Sequence, residues 1–254
     1  MNKPENGEED MLILLFAVHA FNAPIIVYEW LKNMSQVNKI PAIVISVSGG
    51  GEISPNTACR ASCIQFLEKK GYEVIYEDMI VMPSNIVVKT VDGLSIRLLK
   101  ILPYKVNHII DEILSGTIKR TRPKLVDRFF SYIGEAEKIG ARLFGKHIKV
   151  NSDCNGCALC ERNCPRKNIS MSNDKPEFSN NCMLCLNCIY GCPRKALKPG
   201  FGEFMVIKEG FNLNLIEKRM LGVEELESIE KLAKGYLWKG IKEYLLDPYY
   251  KNKN

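Results

Sequence analysis

The 254-residue chain lacks the features of membrane-spanning and exported proteins. Its longest mainly apolar stretch, Met11–Tyr28, is broken by His19 and Pro24, so it is not the run of about 20 apolar residues that a transmembrane helix needs. The N-terminus is acidic, whereas a secretory signal peptide begins with basic residues. We therefore expect no membrane span and a cytoplasmic location, where clustered cysteines are more often metal ligands than disulfides.

Motifs of common hydrolases and nucleotide-binding proteins are also missing. We find no Ser-His-Asp pattern, no paired-carboxylate motif and no zinc-protease motif. The glycines of Ser48–Gly51 do not form a phosphate-binding P-loop, because no Lys-Ser or Lys-Thr follows at the required spacing. The composition is that of a globular protein, with 46% apolar and 25% charged residues.

The chain carries a formal charge of +6, which raises the question of a nucleic-acid partner. The excess is concentrated in residues 86–150, which contain 13 basic and 6 acidic side chains. Few aromatic residues lie among the cations of Lys119–Lys149, and those present fit the apolar face of a helix. We therefore do not expect nucleic-acid binding.

Three short apolar runs alternate with helical patterns in the first 85 residues. The runs are Met11–Val18, Ala42–Val47 and Tyr72–Tyr76, and the helices are predicted at about Pro24–Met34 and Asn56–Lys70. Met11–Val18 has no polar alternation, which is typical of a parallel strand covered on both faces. Asn22 is placed to cap the first helix. The order predicts a βαβαβ unit with a parallel sheet.

The remaining sequence outside the cysteine region has helical patterns. Pro103 and Pro123 are expected to break the stretch from Val91 to Phe144 into separate helices. Val223–Leu246 is predicted to form one amphipathic helix. Cys59 and Cys63, four residues apart on a predicted helix, are interpreted as two small buried side chains.

Eight of the ten cysteines belong to a motif that occurs twice. Each copy reads C-x2-C-x2-C-x3-C-P, the first from Cys154 to Pro165 and the second from Cys182 to Pro193. Thiolates are soft anionic ligands that suit iron–sulfur clusters, and in this spacing the fourth cysteine ligates the other cluster. We predict one [4Fe–4S] cluster held by Cys154, Cys157, Cys160 and Cys192, and a second held by Cys182, Cys185, Cys188 and Cys164.

Zinc and disulfides are the alternative interpretations of these cysteines. A zinc site uses four ligands per metal, and it needs neither the third cysteine of each run nor the repeated Cys-Pro ending. Disulfides are disfavoured by the expected compartment and by the geometry of adjacent C-x2-C pairs. Five cations stand beside the motifs and either offset the negative charge of a cluster or form a solvated surface: Arg162, Arg166, Lys167, Arg194 and Lys195.

The doubled motif resembles the bacterial two-cluster ferredoxins over residues 147–200. The resemblance implies transfer of single electrons at low potential. Tyr190, inside the second motif, is expected to pack against a cluster, whereas His147 and the tryptophans are interpreted as structural residues.

A second resemblance is found in three segments, Phe16–Leu31, Ser46–Gly51 and Val81–Asn85. They resemble the flavodoxin-like half of a family that fuses such a domain to a two-cluster ferredoxin, mostly in anaerobic bacteria and archaea. By position, the resemblance places two loops beside a flavin ring, formed by His19, Ala20, Phe21, Asn22 and Ala23, and by Ser48, Gly49 and Gly50. The alternative is that both loops are plain strand-to-helix turns.

The sequence departs from this family at its start. The family opens with a strand and a loop that cradles the FMN phosphate at a helix N-terminus, and no such segment is found here. FMN therefore lacks its main anchor. Residues 11–18 are then expected to form an exposed apolar edge, so that the chain is truncated or pairs there with a second copy or a partner chain.

The sequence thus predicts an α/β protein with an incomplete flavodoxin-like parallel sheet, followed by a two-cluster ferredoxin-like domain and a C-terminal helix. The expected boundaries are 1–118 for the truncated flavodoxin-like domain, 119–146 for a basic helical linker, 147–200 for the ferredoxin-like domain and 201–254 for a C-terminal extension. We expect an electron carrier with a redox partner protein. The alternative is an FMN-dependent oxidoreductase in which the clusters relay electrons to the flavin.

Overall fold

The chain forms two structural units, and neither is continuous in sequence. The computed structural model describes residues 10–134, 137–220, 222 and 226–249. The first unit comprises Met1–Ser84, Thr90–Glu135 and Asn214–Asn254, and the second comprises Asn85–Lys89 and Ala136–Leu213. This division differs from the predicted boundaries, because the basic linker is split between the units and most of the C-terminal extension belongs to the first.

The first unit is built on a three-stranded parallel sheet, as predicted. Its strands are β1 (Leu12–Ala17), β2 (Ile40–Ser48) and β3 (Tyr72–Val81), in the order β1-β2-β3. Two crossover helices connect them, α1 (Ile25–Lys32) and α2 (Ala61–Lys69), and a 3-10 turn at Asn56–Ala58 precedes α2. The third strand is longer than predicted because its pairing with β2 continues to Ser48 and Val81.

Helices α1 and α2 cover one face of this sheet. Leu14 and Phe16 of β1 pack there with Val27 and Leu31 of α1, and all four are at most 5% exposed. Pro24 stands at the N-cap of α1 without a side-chain cap bond, so the prediction that Asn22 caps this helix is wrong. Asn22 instead bonds to Ser131. Cys59 and Cys63 are both fully buried, as predicted.

The opposite face of the sheet is covered by α3 (Asp92–Leu114). Ile109 packs on Ile43, Ile45 and Tyr76. Pro103 lies inside α3, so the prediction that it breaks the helix is wrong. An interior proline costs about 3 kcal/mol. Buried side chains on both sides of it offset this cost, because they hold α3 against the rest of the unit.

Strand β1 lies at an edge of the sheet, as expected, and in the described residues it pairs only with β2. Its side chains alternate, with Ile13 and Leu15 about 60% exposed (62% and 60%) and Leu14 and Phe16 buried. The prediction that Met11–Val18 is covered on both faces is therefore wrong. The side chains of Ile13 and Leu15 point away from the face that α1 and α2 cover.

The C-terminal elements do not form one helix, and two of them pack on α3. They are α8 (Leu213–Met220), α9 (Ile229–Leu232), a 3-10 turn at Tyr236–Trp238 and α10 (Lys239–Leu245). Within the described part of Val223–Leu246, the predicted helix is interrupted at Gly235, whose φ of 82° is not helical. Ile241 and Leu245 of α10 pack on Leu94 and Leu98 of α3.

The basic stretch predicted as a linker contains α4 (Leu125–Gly134) and α5 (Glu137–Lys146). Helix α4 belongs to the first unit, where Asp127 accepts hydrogen bonds of 2.5 Å from both Ser54 and Thr57. Helix α5 belongs to the second unit. No helix in the described ranges has the length and apolar character needed to span a membrane.

The second unit contains two antiparallel strand pairs and two short helices. The strands are β4 (Lys149–Val150), β5 (Ile169–Ser172), β6 (Lys175–Phe178) and β7 (Leu197–Lys198), and the helices are α6 (Leu159–Arg162) and α7 (Asn187–Tyr190). Strand β4 pairs with β7, and β5 pairs with β6. A 3-10 turn at Glu203–Met205 follows.

A fully buried arginine forms hydrogen bonds with several polar residues in the interior of the first unit. The Arg60 guanidinium donates to Glu77 and to Ser46, both at 2.8 Å, and to Thr121 at 2.9 Å. It also forms an ion pair with Glu52. Glu77 is only 3% exposed and forms ion pairs with Arg60 and Arg120.

We predict that Arg60→Met lowers the free energy of unfolding by about 3–5 kcal/mol, because it removes one partner of a buried ion pair. Arg219→Met is the matched control, since Arg219 pairs with Asp92 at the surface. The control should change stability by at most about 1 kcal/mol. Urea unfolding measures both, and equal effects of the two substitutions would contradict the prediction.

Candidate metal centres

The structure gathers the eight motif cysteines around two cavities. Site 1 is lined by Cys154, Cys157, Cys160 and Cys192. Site 2 is lined by Cys164, Cys182, Cys185 and Cys188. Each cavity thus has three cysteines from one copy of the motif and the fourth cysteine from the other copy. These are the two sets that the spacing predicts, while ligation itself stays a prediction.

Backbone pairing between the two repeats produces this exchange. Corresponding positions lie 28 residues apart, as Cys154 and Cys182 do. Val150 pairs with Leu197, and the corresponding Phe178 pairs with Ile169. The strand before each motif therefore pairs with the strand after the other motif. This pairing brings each fourth cysteine to the cavity of the other repeat.

Among the closely spaced cysteines the backbone of each motif is left-handed at two positions, and the second of these directly precedes a right-handed helix. Gly156 and Ala158 have φ values of 72° and 59°, and the corresponding Leu184 and Leu186 have values of 58° and 59°. Successive N–H groups in such a backbone form a concave nest that attracts anions. A non-glycine residue in this region costs about 1–2 kcal/mol. Ala158, Leu184 and Leu186 bear this cost, whereas Gly156 does not.

The fourth cysteine of each motif receives a backbone hydrogen bond at the same position. Asn168 N–H donates to Cys164 Sγ at 3.2 Å, and Ala196 N–H donates to Cys192 Sγ at 3.3 Å. In site 2, Leu184 N–H also donates to Cys182 Sγ at 3.4 Å. Hydrogen bonds of this kind favour the thiolate and tune the reduction potential of a bound cluster.

Burial makes these thiols weak acids as long as no cation neutralises them. It raises the pKa of Cys188 to about 12, with the charges of Cys185 and Cys182 as further causes. Burial also raises the pKa values of Cys160, Cys182 and Cys185. These thiols can therefore act as ligands only to a cationic centre that displaces their protons.

The donor set of each cavity, four cysteine thiols, is the set that a [4Fe–4S] cluster uses. Counting the space open to solvent, site 1 measures about 350 Å³ and site 2 about 420 Å³. The described residues contain no group of three or more His, Cys, Asp or Glu side chains arranged to hold one metal ion. A [4Fe–4S] cluster differs because its four thiolates bind four different irons. The thiol sets, the N–H nests and the cavities suit such a group.

Two of the five cations beside the motifs line the cavities. Arg194 lines site 1 and the corresponding Arg166 lines site 2. The Arg166 guanidinium donates to Asn181 Oδ1 at 2.6 Å. Arg166 and Arg194 are therefore placed to offset the negative charge of a cluster. The exposed Arg162, Lys167 and Lys195 do not line a cavity and fit a solvated surface.

Sequence reasoning missed the contribution of α5 to site 2. Phe144 and Ile148, four residues apart, line this cavity, and Gly145 lies against Cys182. The apolar i, i+4 spacing was visible in the sequence, but nothing in it tied that face to one of the two motifs. Tyr190 packs in a core that includes cysteines of both sites, and its hydroxyl donates to Asn85 O at 2.8 Å.

The loops predicted beside a flavin make contacts within the first unit. His19–Ala23 is a tight turn in which Ala20 and Phe21 have φ values of 39° and 64°. Asn22 is buried and accepts a 2.6 Å hydrogen bond from Ser131 Oγ of α4. In the second loop, Ser48 Oγ accepts from Gly50 N–H and from Asn56, at 3.1 and 3.2 Å.

The glycine loop also lies close to the start of α10. A Cβ atom on Gly240 would stand 2.2 Å from Gly50 O, so the two backbones are in direct contact. The contacts of both loops, with α4 and α10, explain their conformations without a flavin. Flavin binding by His19, Ala20, Phe21, Asn22, Ala23, Ser48, Gly49 and Gly50 stays a prediction.

Comparison of the chain with protein-family models found no match, and searches of curated proteins and of solved structures also found none.

The contact between α5 and Cys182 yields a test of site 2. A Cβ atom on Gly145 would lie 2.1 Å from Cys182 Cβ and 2.8 Å from its Sγ. We predict that Gly145→Ala displaces Cys182 and reduces the iron of the anaerobically reconstituted protein from about eight to about four per chain. The matched control is Gly140→Ala on the same helix, because nothing lies within 4 Å of that position. Full iron content in both variants would contradict the prediction.

Proposed function

We propose that the protein is an iron–sulfur electron-transfer protein that holds two [4Fe–4S] clusters. The observation that carries the proposal is the crossed arrangement of the eight motif cysteines around two cavities. The resemblance of residues 147–200 to bacterial two-cluster ferredoxins supports it. When bound, such a cluster accepts and releases one electron at a time.

The residues of the second unit have three roles in this proposal. The eight thiolates hold the irons, and the left-handed positions in each motif offer nests of backbone N–H groups to the anionic clusters. Arg166 and Arg194 offset part of the negative charge, which is about −2 for each oxidised cluster with its thiolates. Both clusters together reduce the formal charge of +6 to about +2.

A flavin enzyme is not part of the proposal. The two loops in question are already engaged with α4 and α10, and the sequence offers no phosphate-binding loop. An electron carrier needs only the two cluster sites and a surface for its redox partner.

The proposal predicts about eight iron and about eight sulfide per chain after anaerobic purification. Cys157→Ser and Cys185→Ser remove corresponding ligands of sites 1 and 2, and each should lower the iron content by about half. Cys63→Ala is the control, because Cys63 is buried in α2, outside the motif, and the variant should keep its iron. Iron, sulfide, zinc and flavin assays measure all of this.

Other outcomes of the assays would overturn the proposal. Zinc without sulfide would identify a zinc protein. Stoichiometric FMN together with the clusters would favour the oxidoreductase over the simple carrier.

A further inference from the structure

We propose that α5 shields site 2 and gives it the lower reduction potential, while electrons enter and leave the protein through site 1 at the exposed Cys157. This inference rests on the proposed function, because it assigns different roles to the two clusters. It concerns the residues around the sites, which differ although the two motifs are the same.

Site 2 is covered by Ala141, Phe144 and Gly145 of α5 and by Ile148, which follows this helix. These four residues are called the α5 cover below. Phe144 is 2% exposed and Ile148 8%, and both pack with Leu184 and Leu186 between the cysteines of site 2. Phe144 and Ile148 line site 2. None of the described residues that line site 1 comes from this cover.

The repeat provides an internal comparison of the two sites. Leu184 and Leu186 are 4% and 3% exposed, whereas the corresponding residues of site 1 are the smaller and less buried Gly156 and Ala158. Cys157 is exposed, and its counterpart Cys185 is only partly accessible. The backbone conformations are equal, so the sites differ mainly in what covers them.

Unequal cover implies unequal reduction potentials. Reduction transfers one electron from an external donor to a site and changes its charge from about −2 to about −3, with no bond made or broken. A buried environment disfavours the added charge, so site 2 is harder to reduce. The additional N–H···S bond to Cys182 acts in the opposite direction, but it affects a single sulfur, whereas Phe144 and Ile148 add two buried apolar side chains to the lining of the cavity.

A potentiometric titration with dithionite, followed by electron paramagnetic resonance, tests the inference. The wild-type protein should show two separate one-electron steps. Phe144→Ala opens the α5 cover and should move the lower step toward the upper one, while the upper step stays in place. The control is Leu143→Ala, since Leu143 is 48% exposed on the same helix, and it should leave both steps unchanged. A shift of the upper step in Phe144→Ala would overturn the assignment.

Ligand variants give a second measurement that does not depend on Phe144. The cluster that remains in Cys185→Ser should titrate at the upper potential, and the one that remains in Cys157→Ser at the lower. The reverse order, or coincident steps in a wild-type protein with eight irons, would overturn this inference alone. A chain without iron and sulfide would overturn the proposed function as well.

Discussion

The second unit depends on one constraint, which is that each group of three closely spaced thiols obtains its fourth thiol from the other repeat. The pairing of β4 with β7 and of β5 with β6 enforces this exchange. Because side chains alternate along a strand, a shift of one residue in either pairing would turn its side chains to the other face. Neither cavity can form without both repeats, so the two sites are expected to fold as one unit.

The same regions contain backbone that is unfavourable by itself. Ala158, Leu184 and Leu186 all have positive φ values, and burial keeps the nearby thiols protonated when no cation is present. The backbone strain and the burial of the thiols are offset only when an anionic group accepts hydrogen bonds from the N–H groups and its metal ions replace the thiol protons. On the proposed function, cluster binding and folding of the second unit are therefore coupled.

Features with a strict local pattern could be predicted from the sequence, and features set by distant contacts could not. The three strands and their order follow from apolar runs, and the two cysteine sets follow from spacing. Pro103 was misread because the packing that keeps α3 intact comes from residues far along the chain. The single C-terminal helix was wrong because its periodicity hides the turn at Gly235. The α5 cover was missed because periodicity does not say which motif a helix contacts.

The α5 cover also bears on why the two repeats have different side chains at positions where their backbone φ values are alike. Leucine at a positive φ costs about 1–2 kcal/mol relative to glycine, so Gly156 is the less strained choice at this position. Burying a leucine side chain contributes about 1.5–3 kcal/mol, which offsets the strain only where other residues cover it. Leu184 has that cover from Phe144 and Ile148, whereas Gly156 has no such cover from α5 in the described structure. The larger residue of the pair thus stands in the motif whose cavity α5 lines, and the glycine in the motif where an added Cβ atom would meet Asp174 at 3.0 Å.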